Sequence, residues 1–227
     1  MLTSEAEVEW VKSFFSVPRF APYVQSCGGD ESAAVRLYWW NVEASAAFYA
    51  ALHCLEIVLR NALHEELTLY YARSDWWTTA RPAGDGTHLI TDAYQKLRRT
   101  NGRPPNEDDI VAAMPFGFWV SLTSRSNEAA MWRPALYRAF RPGYRRSRRE
   151  MYTHLNSLRL FRNRIMHHEP IHMRHLEADL HRVCELAEYL APGVTKILAR
   201  VSTIERVLAR RPTPSSGGRR RVAGSGG

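Results

Sequence analysis

Residues 161–170 read FRNRIMHHEP and set Arg162, Asn163, Arg164, His167 and His168 close together ahead of Pro170. An imidazole gives and takes protons near neutral pH. A guanidinium carries a permanent charge and a fork of donors matched to phosphate oxygens. An amide beside them can orient either partner. Together these groups suit acid–base chemistry on a substrate whose negative charge grows in the transition state.

The element that must position them is a helix. With about 3.6 residues per turn, Met151, Leu155, Leu158 and Ile165 fall on one apolar stripe of residues 150–168, and Arg162 falls in the middle of it. A guanidinium there has to be paired or sit at the edge of an interface. Asn163 and His167, four apart, share a second face and are expected to touch; Arg164 and His168 form a third such pair. Ser147 with Glu150 forms a capping box that starts the helix. Pro170 disfavours helical geometry at Glu169, so the helix should end near the histidines, where free carbonyls favour an imidazolium. A plainer reading also exists: terminal histidines cap carbonyls, and a helix arginine is an ion-pair partner. It suits His168 and Arg164 better than Arg162. The run HHEPIHMRHLEADLH is histidine-rich, but it lacks the two-histidine-plus-glutamate helix motif of zinc hydrolases. Neither a metal nor a cofactor is assigned.

The rest of the chain has helical periodicity and no alternation long enough for a sheet, so an all-α fold is expected. A first helix fits 4–15, with Ser4 as N-cap and Glu7 closing its box. CGGDES breaks the chain. No proline or glycine then interrupts from Asp30 to Arg73, which implies one long helix or two bending near Asn41. Further helices fit 87–100, a stretch capped by Asn106, PFGFWVSL, 172–190 and 194–210, with short mixed structure at 127–141. The implied division is a helix and linker at 1–29, a helical domain at 30–210, and a tail at 211–227. That tail is rich in Pro, Gly, Ser and Arg and is expected to be disordered. In the long helix Glu56 shares an apolar stripe with Leu52, Leu59 and Leu63. It needs a partner, for which Arg162 and Arg60 are the candidates. Arg60 and Asn61, followed by His64, also echo the later Arg-Asn…His run with one residue fewer, and are read as an ancillary site.

The formal net charge is +8 over 227 residues, and only Lys12, Lys96 and Lys196 among the 31 basic residues are lysines. Five arginines and no acids lie between Leu208 and Gly227, so the body is only mildly basic. Its one concentrated patch is RPGYRRSRRE at 141–150, where Arg145, Arg146, Arg148 and Arg149 are candidates for a phosphate backbone, with Arg164. The plainer account of such a run is a solvated face. Cys27, Cys54 and Cys184 lie far apart and suggest reduced thiols rather than a disulfide framework. The first residues, MLTSEAEVEW, are acidic and have no apolar leader. The most apolar window, ASAAFYAALHCLEIVL, carries His53 and Glu56 and reads as a buried helix rather than a membrane span. A cytoplasmic protein is the expectation.

RNRIMHHEPI resembles the hallmark of the Abi-like proteins of bacterial phage defence, members of the HEPN superfamily. The motif is Arg, four to six residues, then His, commonly with a polar residue after the Arg. Arg162, Asn163 and His167 match it, and His168 also satisfies the spacing. LYWWNVEASAAFYAALHCLEIVLRNALHEEL (38–67) resembles the family's long N-terminal helix, and FGFWVSL (116–122) its central aromatic segment. The resemblance implies a HEPN-like helical bundle and, for many members, metal-independent RNA cleavage. In that chemistry a ribose 2′-OH attacks the adjacent phosphate and leaves a 2′,3′-cyclic phosphate. His167 or His168 would serve as acid or base, Arg162 would stabilise the transition state, and Asn163 would orient. It further implies a homodimer with motifs of both subunits lining one cleft, here through residues 158–168, and an antitoxin of RNA or protein. Some members of the superfamily are inactive, so a non-catalytic module that binds RNA or a partner protein is the alternative.

Overall fold

The computed structural model describes residues 5–140, 144 and 147–212, and every regular element among them is helical. Ser4, Arg145, Arg146 and the tail from Thr213 lie outside the described residues. The chain divides into two compact units, Met1–Ala46 with Ile204–Gly227, and Ala47–Thr203.

The first unit holds α1 (Glu5–Phe15), α2 (Val17–Ser26), the first part of α3 (Glu31–Tyr71) and α10 (Ile204–Leu208). Helix α2 departs from the linker expected before residue 30. Pro18 sits in its first turn, where a missing amide costs little, and Ser26 donates its hydroxyl to the Pro22 carbonyl at 2.9 Å. The Asp30 carboxylate accepts the Ala33 amide at 2.8 Å and starts α3. Trp40 fixes α10 to α3: its indole donates to the Val207 carbonyl at 2.8 Å, and Arg211 lies over its ring.

The second unit is organised by the remainder of α3. Phe48, Leu52, Leu55, Leu59, Leu63 and Leu67 form a row at spacings of three and four, and each is at most 2% exposed. Burying each of these side chains contributes about 1.5–3 kcal/mol. Then come α4 (Gly86–Asn101), α5 (Glu107–Ala113) and α6 (Phe116–Leu122). Asn106 caps α5 in a reciprocal box with Asp109. Phe116, Phe118, Trp119, Val120 and Leu122 are all buried, so α6 is apolar on every side; it packs against α4 and α7. Short 3-10 and π turns fill Arg125–Ala139 before α7 (Arg148–Met166). Helix α8 (Leu176–Leu190) begins later than expected because residues 172–175 form a turn, with the His175 imidazole accepting the Ala178 amide at 3.1 Å. The single helix expected over 194–210 is two, α9 (Val194–Val201) and α10, separated at Ser202 and Thr203.

By length and composition α3 is able to cross a membrane, with a mean hydropathy of 1.5 in its most apolar window. Its leucine row is nonetheless consumed by packing inside the unit. None of the three cysteines is in a disulfide, and burial raises the pKa of the Cys54 thiol.

His64 lies on this helix and belongs to the fold. Its Nδ1 accepts the Trp76 indole N–H at 3.0 Å, and burial lowers its pKa from the ordinary 6.5. The unfolded chain therefore takes up a proton that the folded chain resists. This site costs no stability above pH 6.5, and stability falls as pH drops through that value. His64→Gln keeps an acceptor for Trp76 without the titration. Thermal unfolding followed from about pH 7.5 to about pH 5 should show a flatter decline in this variant than in the wild type.

Candidate functional site

Helix α7 opens on the expected box: Ser147 Oγ accepts the Glu150 amide at 3.2 Å and the Glu150 carboxylate accepts the Ser147 amide at 2.8 Å. Met151, Leu155, Leu158, Phe161 and Ile165 form its buried face. Phe161 therefore occupies the centre of the stripe, against the Phe48 ring on one side (centroids 5.0 Å apart, near perpendicular) and beneath the Arg174 guanidinium on another. This moves Arg162 to the edge. Its side chain is 34% exposed, and its Nε lies 3.3 Å from the Glu56 carboxylate on α3. That is the partner expected for the otherwise uncompensated glutamate.

The ion pair stands in the wall of a cavity of about 170 Å³ between α3 and α7. Tyr49, His53, Glu56 and Arg60 line it from α3, at the spacing i, i+4, i+7 and i+11 that puts them on one helical face. Arg162, Ile165 and Met166 line it from α7, and Met114 from the turn after α5. The Tyr49 and His53 rings stack 6.0 Å apart at 16°. Arg60 donates its Nε to the Asn61 carboxamide at 3.0 Å. Tyr49 has no place among the sequence expectations, and His53 enters them only as a polar residue in an apolar window. Their regular spacing to Glu56 and Arg60 was the available signal, masked because the window reads as uniformly apolar.

Asn163, His167 and His168 are not among the lining residues of this cavity. His167 is the C-cap of α7 and is exposed; its amide donates to the Asn163 carbonyl at 2.9 Å, but no side-chain hydrogen bond joins the two residues as the spacing suggested. On a straight helix, side chains five apart point roughly 140° from one another. Arg162 in the wall and His167 outside it follow that geometry. Arg164 turns to the Glu169 carboxylate at 3.2 Å rather than to His168. His168 adopts φ 57°, a left-handed conformation uncommon outside glycine and asparagine. Its amide reaches the Ile165 carbonyl at 3.1 Å, and the Glu169 amide reaches Arg164 at 2.8 Å. These two bonds form a Schellman closure just ahead of Pro170.

The basic patch divides. Arg148 is not the exposed arm expected of it: its side chain is 12% exposed, its Nε meets the Glu128 carboxylate at 3.0 Å and its Nη1 donates to the Thr123 carbonyl at 2.9 Å. Arg133 and Arg148 together hold the Glu128 carboxyl below its usual range. Arg149 is exposed. In the histidine-rich segment His172 is buried, His175 caps α8 and His181 is exposed. Among the described residues no three His, Cys, Asp or Glu side chains converge on a point that could hold a metal ion.

Two substitutions separate architecture from surface. Arg148→Ala should lower the unfolding midpoint by several degrees, because it strips the Thr123 carbonyl of its guanidinium donor and Glu128 of one of its two arginines, while Arg149→Ala should leave it within about 2 °C. His168→Gly should raise stability by about 0.5–1 kcal/mol, since glycine occupies the left-handed closure without a Cβ penalty. Calorimetry of the three variants beside the wild type reads both effects.

No family model matches the chain, and neither a curated protein nor a solved structure does, so the site rests on its own geometry.

Proposed function

We propose that the protein is a HEPN-like, Abi-type endoribonuclease that cleaves RNA without a metal, by attack of a ribose 2′-OH on the adjacent phosphate. The observation that carries this reading is Arg162. A half-exposed guanidinium, held at one point by Glu56, stands in the wall of an open cavity with a second arginine, one turn before a helix end that presents His167 and His168. The Arg162 contact with Glu56 is an ion pair at 3.3 Å, and a guanidinium has five N–H donors to offer phosphate oxygens. In the proposed reaction the bond from the 2′-oxygen to phosphorus forms as the bond to the 5′-oxygen of the next nucleotide breaks. His167 or His168 takes the 2′-OH proton or delivers one to the departing 5′-oxygen, which leaves as a 5′-OH. Arg162 offsets the charge that develops on the phosphoryl oxygens, and Asn163 orients the reacting groups.

Because His167 lies outside the cavity that Arg162 lines, a site using both groups is built most directly by two chains. Leu160 and Met166, 49% and 42% exposed on α7, supply apolar surface for a homodimer that would set the arginine of one chain against the histidine of the other. In this reading the protein acts in the cytoplasm as a toxin-type effector of phage defence, neutralised by an antitoxin of RNA or protein. The Glu56 contact favours one second reading, a non-catalytic module that binds RNA or a partner protein. An arginine engaged within its own fold serves structure as readily as catalysis.

Incubation of RNA with the protein in EDTA decides between them. Cleavage should persist and leave 2′,3′-cyclic phosphate ends, and Arg162→Ala and His167→Ala should each abolish most of it. Mixing the two inactive variants under chain exchange should restore part of the activity. Cleavage lost in EDTA and returned by zinc or manganese would assign the chemistry to a metal instead, and no cleavage under any condition would leave the binding module.

A further inference from the structure

The cavity carries more than the motif that led to it. Arg60 and Glu56 line it from α3 and Arg162 from α7, so the arginines outnumber the carboxylate, with the His53 imidazole on the α3 wall. Among the described residues the ion pair inside, Arg162 Nε to Glu56 at 3.3 Å, carries no hydrogen bond, and the side chain of Arg60 makes one, from Nε to Asn61. Unspent donors therefore converge on a space that an anion would fill.

Size narrows the anion. About 170 Å³ is well below the roughly 300–1,000 Å³ of pockets that enclose a whole drug-sized ligand. It suits one group of a larger molecule whose remainder lies outside. The rim supplies a place for that remainder: Tyr49 is 53% exposed, and its ring is already held parallel to His53. An exposed tyrosine beside a paired-arginine cavity is the combination with which proteins hold unpaired bases and their backbone.

We propose that this cavity binds one backbone phosphate of single-stranded RNA between Arg60 and Arg162, that the adjoining base stacks on Tyr49, and that Glu56 is the counter-ion the phosphate displaces from Arg162. The proposal rests on reading Arg162 as a phosphate-contacting group. It adds Arg60 and Tyr49 as binding residues, His53 as the support of the stacking ring, and Glu56 as a competitor that weakens binding by occupying Arg162. In the unliganded protein the carboxylate keeps the guanidinium aimed into the cavity, which lowers the ordering cost of binding.

The test uses the full chain and a labelled single-stranded RNA carrying 2′-O-methyl groups throughout, so that binding is read by fluorescence anisotropy without cleavage. Arg60→Gln should weaken binding roughly tenfold through loss of charge-assisted contacts. Tyr49→Ala should weaken it roughly tenfold and Tyr49→Phe restore it, since stacking needs the ring and not the hydroxyl. Glu56→Gln should tighten it several-fold. Inorganic phosphate should compete, and its inhibition should depend on Arg60 but not on Tyr49. Circular dichroism confirms folding; should Glu56→Gln fail to fold, the Arg60 and Tyr49 variants, altered only at the cavity rim, still decide. RNA affinity within twofold of wild type in both overturns the proposal. Phosphate binding without RNA binding also overturns it and leaves a free-anion site. Active cleavage with unaltered Arg60 and Tyr49 variants would sink this inference while the ribonuclease reading stands. The expected binding pattern in a protein that never cleaves would keep the inference and remove the nuclease.

Discussion

The packing of α3 on α7 is the constraint from which the site follows. Phe48 on α3 and Phe161 on α7 meet in edge-to-face contact, and the rows they belong to, Phe48 to Leu67 and Met151 to Ile165, are both buried. Each buried side chain contributes about 1.5–3 kcal/mol, whereas a partly exposed ion pair contributes roughly 0–1 kcal/mol. Apolar burial therefore outweighs the ion pair, and the Arg162–Glu56 contact sits beside the Phe48–Phe161 contact rather than carrying the fold. That ordering matters for function. An arginine that carried the fold could not be lent to a substrate, but one placed by its neighbours can be.

The polar groups beside this seam divide by how completely they are used. Asp179 accepts two nitrogens of Arg174 at 2.8 and 2.9 Å and a third contact from Arg182, and Arg174 also covers Phe161. Arg148 is likewise spent on Glu128 and Thr123. His64 accepts from Trp76, and burial lowers its pKa. These are internal structural contacts. Arg60 and Arg162 differ: among the described residues the side chain of Arg60 makes one hydrogen bond, to Asn61, that of Arg162 one ion pair, to Glu56, and both line the cavity. Incomplete use, rather than residue type, marks the candidate site.

Much of this was legible in the sequence, because it depends on local rules. The all-helical class, the capping boxes at Asn106 and Ser147, the unbroken α3 and the end of α7 before Pro170 each follow from a few neighbouring residues. Helix α2 was hidden by Pro18 and Pro22, which argue against a helix unless their places within its turns are known. The break at Ser202 and Thr203 carries no glycine or proline to announce it. The pairing of Glu56 with Arg162 was legible as a need of each residue for a partner. The cavity was not, since Tyr49 and His53 acquire meaning only when α7 is laid beside them.

The end of α7 shows two demands meeting at one residue. A helix closing in the Schellman manner favours glycine at the left-handed position, yet His168 stands there at φ 57°. The end of α3 does the same with Ala72 at φ 53°, where the Arg73 amide reaches back to Thr68. A non-glycine residue at such a closure is therefore tolerated in this chain without any histidine chemistry, and strain alone does not assign His168 a role. What distinguishes α7 is the succession it produces: Arg162 faces the cavity, His167 caps the helix, and the left-handed turn at His168 leads the chain off at Pro170. An ideal helix continued past His167 would keep its carbonyls bonded and its side chains in regular rows. Closing the helix there instead leaves the His167 imidazole exposed at the helix terminus, about one turn after Arg162 and outside the cavity that Arg162 lines.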